Sequence, residues 1–242
     1  MTTTEFKNEF LIGYDKITNY DAPGYLDDEI SVFLTQSQER FIKTRYNAFG
    51  NKYHKGFEQN EKRRKELNNL ISRHEVVSNT NTFSNHPYGH IVGYPDDFMW
   101  AIEESAENTS LCSDSKRVRI MPITHDQYTI NINNPFKKPE PGLWWRMEIE
   151  STIATRRVEI ITDTNFAQTD TFTYYLRYLR LPSPIIVSDI SPLTIDGISA
   201  QTECELNNET HREIIDGAII IALENTEEKR LQTKVAVDAA NE

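Results

Sequence analysis

The stretch CELNNETHREIIDGAIIIALEN, residues 204–225, decides how the chain is put together. Ile214, Ile215, Ala218, Ile219 and Ala222 fall at i, i+1, i+4, i+5 and i+8, the spacing of one apolar stripe on a helix. Thr210 and Glu213 fit a capping box, while Asn207 or Asn208 offers a cap one turn earlier. An apolar stripe must be covered. The residues before it read as strands, so its cover is expected from helices at the other end of the chain. The same stretch also gathers Cys204, Glu205, His211 and Glu213, residue types that a zinc site or a thiol nucleophile would use.

Working outward, the first 75 residues read as helical. Thr2 and Glu5 form a capping-box pattern, followed by Phe6, Phe10, Tyr14 and Ile17 at helical spacing. The turn residues DAPG, 21–24, break that run. A second helix carries Leu26, Ile30, Phe33, Leu34, Ser37 and Phe41 on one stripe, with Asp27, Asp28 and Glu29 in its first turn, where the helix dipole favours them. A third is expected over EQNEKRRKELNNLISRHE, with Leu67, Leu70 and Ile71 facing inward.

From about Val76 to Leu181 the pattern becomes β-rich. WWRMEIE alternates, with Trp145, Met147 and Ile149 on one face and Arg146, Glu148 and Glu150 on the other. RVRIMPI places Val118 and Ile120 together, and RVEIIT and FTYYLRYLRL are further strands. NNPFKKPEPG, residues 133–142, is a Pro-rich connection that cannot be helical. PSPIIVSDI and a turn at Asp196-Gly197 lead back to the opening stretch. The expected fold class is therefore α+β. N- and C-terminal helices form a helical body, and a β-rich sandwich or small barrel is inserted between them. The expected division is 1–75 for the N-terminal helical part, 76–184 for the inserted β-rich domain, and 185–242 for the C-terminal helix and tail.

Composition narrows the function. The chain has 242 residues and a formal net charge of −11, which disfavours sequence-independent binding to a phosphate backbone. Two cysteines, Cys112 and Cys204, form no CxxC pair, so no disulfide framework is expected and a reducing compartment is the default. No signal peptide pattern opens the sequence, and no apolar run approaches the roughly 18–20 residues of a membrane span. The Asn-x-Thr/Ser triplets at Asn108 and Asn208 then carry no weight.

No reaction centre stands out. Cys204 and His211 lack a second ligand pair, and the packing reading is preferred for both. His86 and His90 flank Pro87 and Gly89, which argue against a helical metal pair. His125-Asp126 is read as a turn after a strand, without a nucleophile motif to serve. Asp96-Asp97 and Glu103-Glu104 are neighbours whose side chains point apart. KRRKE, residues 62–66, is the densest basic cluster, and flanking glutamates, with Glu61 and Lys65 spaced for an ion pair, make it a solvated helix face. Trp100, Trp144, Trp145, Tyr174, Tyr175 and Tyr178 could stack bases between arginines, or fill a core.

Three stretches together resemble a family. They are PITHDQYTININNPFKKPEPGLWWRMEI (122–149), YLRYLRLPSPIIVSD (175–189) and the opening stretch. The Thr-His-Asp turn at 124–126, the Asn-Pro-Phe-basic-x-Pro segment at 134–139, Trp145-Arg146, the strand end at 177–184 and Cys204 to His211 are similar to virion structural proteins of crAss-like and related tailed phages. The likeness covers the last half of the chain. It implies a neck component, a ring or head-to-tail adaptor that docks on the portal as a cyclic oligomer, usually of twelve subunits, around the DNA channel. It implies no cofactor and no catalysis, a place in the virion after assembly in the host cytoplasm, and neighbouring neck or tail ring proteins as partners. An acidic wall would let DNA pass without holding it. The tail after Leu223 carries few apolar anchors, Leu231, Val235 and Val237, and is expected to order against a partner. Rival readings are a stopper or tail-tube ring, a nucleic-acid-binding regulator using KRRKE, and a Cys/His metal-dependent enzyme.

Overall fold

The computed structural model describes residues 1–15, 24–47, 56–78, 84, 86, 88–108, 117–149, 156–164, 166 and 170–225. Ile17, Cys112, Leu231, Val235 and Val237 lie outside the described residues. The chain is mixed α and β and divides into two compact units, Met1–Leu70 with Pro182–Glu242, and Ile71–Leu181.

The first unit is helical. Helix α1 spans Thr3–Asp15 and starts with the expected capping box, in which Thr2 N donates to Glu5 Oε2 at 2.8 Å and Glu5 N to Thr2 Oγ1 at 3.4 Å. Helix α2 spans Asp27–Tyr46, and α3 is a short helix, Glu61–Leu67. Helix α5, His211–Asn225, comes from the far end of the chain and packs on both α1 and α2, which touch each other much less. Its Ile214, Ile215, Ala218, Ile219 and Ala222 are all buried, against Phe6, Phe10 and Tyr14 of α1 and Ile30, Phe33 and Leu34 of α2, which are buried too. The helix begins one turn earlier than the Thr210 capping box. Asn207 is its extended first residue, and Thr210 donates back to the Asn207 carbonyl.

Two details fix the helix spacing. Ser37 Oγ of α2 donates to Ile214 O of α5 at 2.6 Å. Beside it, a methyl group on Gly217 would lie 2.5 Å from Ser37 Oγ. A second face of α2 is polar although it is buried. Ser31, Thr35 and Gln38 lie at i, i+4 and i+7, and the returning extended segment lies along them. Val187 N donates to Ser31 Oγ at 3.1 Å and Ile185 N to Thr35 Oγ1 at 3.1 Å. Here helix hydroxyls satisfy backbone groups that a strand partner would otherwise satisfy. Asp196 and Gly197 make the expected turn, both at positive φ (51° and 81°), closed by Ile195 and Ile198. Leu26, placed on the α2 stripe by its spacing, is 66 % exposed because it precedes the helix.

The second unit is one seven-stranded sheet, curled into a half-barrel, in the order β1-β7-β3-β4-β5-β6-β2. The strands are β1 Ile71–Val77, β2 Gly89–Gly93, β3 Phe98–Asn108, β4 Arg117–Pro122, β5 Leu143–Glu148, β6 Arg157–Ile161 and β7 Phe172–Arg180. The third helix expected from the sequence is thus too long. It ends at Leu67, and Ile71–Val77 is a strand that pairs with β7 along its whole length. Asn68-Asn69 stops the helix in a single 3-10 turn, and the β-branched Ile, Val and Val that follow suit a strand better.

Among the described residues every strand pairing is antiparallel except β4 with β5. A parallel pair needs a long crossover. Residues 123–142 provide it, as helix α4, His125–Asn131, followed by the Pro-rich connection. The Thr-His-Asp segment is therefore a helix start and not a turn, since Thr124 Oγ1 accepts from Gln127 N at 3.3 Å. Ile123, Tyr128 and Ile132 from this crossover cover Trp145, Met147 and Ile161 on one face of the sheet. The main core holds Val92, Val118, Ile120, Trp144, Ile160 and Tyr174.

The α2–α5 contact generates a prediction. Gly217→Ala should lower stability by about 1–3 kcal/mol, because overpacking outweighs the gain of up to about 1 kcal/mol in helix propensity. The double variant Ser37→Ala/Gly217→Ala should regain most of that loss in urea unfolding. A Gly217→Ala chain more stable than the parent would contradict the close contact.

Candidate functional site

The four residues of the opening stretch are not brought together into a reaction centre. Cys204 is partly buried, and burial pushes its thiol up to about 11, away from the thiolate that a nucleophile or ligand needs. His211 is 2 % exposed and packs on Phe6 with ring centroids 4.9 Å apart. Its Nε2 lies 2.9 Å from Leu206 O and its Nδ1 3.2 Å from the Met1 amino group. Burial holds this imidazole below its usual range. Glu205 accepts from Ser183 N and Ser183 Oγ, both at 3.1 Å, and so ties down the returning segment. Glu213 pairs with Arg45. Each side chain has its own structural task. Among the described residues no three His, Cys, Asp or Glu side chains cluster as a metal site requires.

The basic helix also differs from its expected form. Glu61 and Lys65 pair at 3.4 Å as their spacing implies. Lys62, Arg64 and Lys65 are exposed, as a solvated face requires, whereas Arg63 and Glu66 are buried at 5 % exposure. Glu66 meets Arg45 at 3.2 Å and Lys62 at 3.5 Å, while burial raises its pKa against those two cations. Arg63 alone, of the four cations Lys62, Arg63, Arg64 and Lys65 that a phosphate-binding face would present, is turned inward.

His86 and His90 have separate roles. His86 Nδ1 lies 2.9 Å from Glu159 Oε1, and Glu159 is 2 % exposed. His90 is buried between Phe166 and Phe172, and burial lowers its pKa despite Asp170 nearby. The aromatic residues fill the core. Trp144, Trp145, Tyr174 and Tyr178 are at most 5 % exposed, so they offer no open surface for base stacking. Half-buried Tyr175 is taken up by Arg117, 4.5 Å from its ring, and by Glu107.

The sequence did not disclose the most concentrated polar group, which sits within the sheet. Arg146, which alternation places on the face opposite Trp145 and Met147, points into the core. Its Nη1 lies 3.2 Å from Glu104 Oε1 and donates to Tyr94 Oη at 2.7 Å. Tyr94 and Tyr174 both donate to the same Glu104 oxygen. The Arg146 and Glu104 side chains are only 11 % and 5 % exposed. Burial works against the guanidinium charge, but Glu104 and the two phenols outweigh it and raise the Arg146 pKa. Burial and Glu104 together push both phenols up, so they stay protonated and donate. The neighbouring Glu103 points the other way, to Arg177 at 3.3 Å on the exposed side. This quartet is a structural network in which the Arg146 and Glu104 charges offset each other, and Arg146 Nη2 also approaches the exposed Glu148 at 3.8 Å.

Among the described residues these polar groups are engaged in holding each unit in shape, as a structural subunit requires. Comparison with known proteins agrees. The family described as "Phage tail ring protein 3/4" matches residues 1–234, across both units. Two proteins of Bacteroides phage crAss001 are similar: "Ring protein 4/5", 35% identical over 228 residues (92% of each chain), and "Ring protein 3", 30% identical over 231 residues (92% of this chain and 95% of that protein). The chain belongs to this phage tail ring protein family. It is a structural ring protein of a tailed-phage virion, a type that assembles with other ring and neck proteins.

The buried quartet is testable. Arg146→Met leaves the Glu104 carboxylate buried without its cation, and should cost about 3–5 kcal/mol in unfolding free energy. Adding Glu104→Gln should recover a large part of that loss, because the two side chains are coupled. Losses that simply add would show that the pair does not act as one group.

Proposed function

We propose that this ring protein is a head-to-tail connector. It docks on the portal as a cyclic oligomer, with twelve copies favoured, and surrounds the channel through which DNA passes. The observation that carries this reading is the family match across 1–234, which spans both units. Two features support it. The net charge of −11 gives a passage wall that repels DNA instead of binding it. The polar clusters that would suggest catalysis are engaged in packing, so the role is geometric and needs no cofactor. In this reading the tail residues Leu231, Val235 and Val237 seat on a neighbouring protein, and assembly takes place in the host cytoplasm before the ring joins the particle. The family description names the tail, and this favours a second reading in which the chain is a stopper or tail ring further from the portal.

Negative-stain electron microscopy of the purified chain, with and without a portal ring, separates the two. Rings that appear on the portal, or that stack on it, are the expected outcome, and their symmetry gives the copy number. Rings that ignore the portal would remove the connector and leave the tail-ring reading.

A further inference from the structure

Among the described residues, the most exposed large apolar side chain of the sheet unit is Phe136, 96 % open to solvent. It stands in the Pro-rich connection after α4, in the segment Asn134-Pro135-Phe136-Lys137-Lys138-Pro139. The crossover requirement explains the presence of a connection here. It does not explain a bare phenyl ring at its tip.

The tip is held in shape. Phe136 N donates to Asn134 Oδ1 at 3.0 Å, and Lys137 N and Lys138 N donate to Asn134 O at 3.1 and 3.0 Å. Pro139 is buried, and Glu140 and Leu143 exchange backbone hydrogen bonds just beyond it. Asn134 therefore organises the turn, Pro139 anchors it, and the ring is presented on a formed knob. Ile130, on α4 in the same crossover, is 73 % exposed. Lys137 and Lys138 are exposed and have no ion-pair partner among the described residues. An exposed aromatic ring is the kind of side chain that interface cores are enriched in, and the two lysines beside it supply a charged rim.

The chemistry of its receptor follows by complementarity: an apolar spot bordered by carboxylates. The chain itself carries such a surface, in keeping with its excess of 37 acidic over 26 basic residues. At the start of α2, Val32, 36 % exposed, lies one turn after Asp28 on the same side of the helix, with Glu29 beside it, and Leu26, 66 % exposed, precedes the helix. Lys7 already engages Asp27 at 2.6 Å, and Glu29 accepts from Leu26 N at 2.9 Å. Asp28 has no ion pair among the described residues. The knob and this face are different patches, so their union is heterologous and propagates from copy to copy until a ring closes.

We propose that the Phe136–Lys138 knob of one copy docks on the Asp28–Val32 face of α2 in the next copy, as a contact that closes the ring. The inference rests on the ring reading above. The test uses the full chain, followed by native mass spectrometry and negative-stain microscopy, with circular dichroism to confirm folding. The parent should form closed rings. Phe136→Ser and the pair Lys137→Glu/Lys138→Glu should give folded chains that associate about tenfold or more weakly, the loss expected of an anchor residue. Asp28→Lys added to the lysine pair should bring rings back, since both charges are then reversed. A Phe136→Ser chain that closes rings as readily as the parent overturns the contact and leaves the ring reading standing. Folded, weakened lysine variants that Asp28→Lys does not restore overturn the α2 face as receptor. A parent chain that stays monomeric overturns the ring reading and the contact with it.

Discussion

Helix α5 has to bury an apolar face, and the helices that cover it lie near the start of the chain. That constraint organises the first unit. Ile214, Ala218 and Ala222 are fully buried only because α1 and α2 fold back to meet them. The chain is thereby obliged to leave the helical unit, build the sheet, and return. The sheet accommodates this by taking its first and last strands, β1 and β7, as antiparallel neighbours, with Ile71 opposite Leu179. The points where the chain enters and leaves the sheet thus lie side by side, and an insertion of this size needs no long connection to close.

The sheet faces a different problem. A half-barrel has two edges and two faces. A mostly antiparallel sheet can leave one face in water, as β3 and β7 do at Glu103 and Arg177, but Trp144, Trp145 and Met147 of β5 are buried on both of its faces. The crossover demanded by the one parallel pair, β4 with β5, solves part of this by laying α4 over Trp145 and Met147. The opposite face of β5 then lies in the core, and Arg146 is drawn in with it. A guanidinium there is tolerable only with a carboxylate and further hydrogen bonds, which Glu104, Tyr94 and Tyr174 provide. The polar quartet is thus a consequence of topology and carries no sign of a reaction centre.

This explains what the sequence disclosed. Helical periodicity is local, and the stripes of α1 and α5 and the alternation at Val118 and Ile120 could be read directly from spacing. The end of α3 could not, because Leu67, Leu70 and Ile71 keep a helical period across what is really a helix-to-strand boundary. The burial of Arg146 could not either, since alternation says which side chains share a face but not whether that face meets water. Thr124 with Gln127 is a legible capping box, and it marks a helix start where His125-Asp126 alone reads as a turn. The residues suspected of reactivity have ordinary structural roles: a partly buried Cys with a raised pKa, a buried His against a Phe, a Glu bonded to a serine.

Function in such a protein lies in its surfaces, since the interior is fully occupied with holding shape. The central claim is that this chain works as one of several copies arranged around the axis of the particle. Cryo-electron microscopy of the intact virion, with the neck and tail reconstructed under relaxed symmetry, tests it most directly. The account predicts density for both units repeated a whole number of times in a ring around the DNA axis at the head-to-tail junction. Density for the chain as isolated single copies, or its absence from the neck and tail, would contradict it.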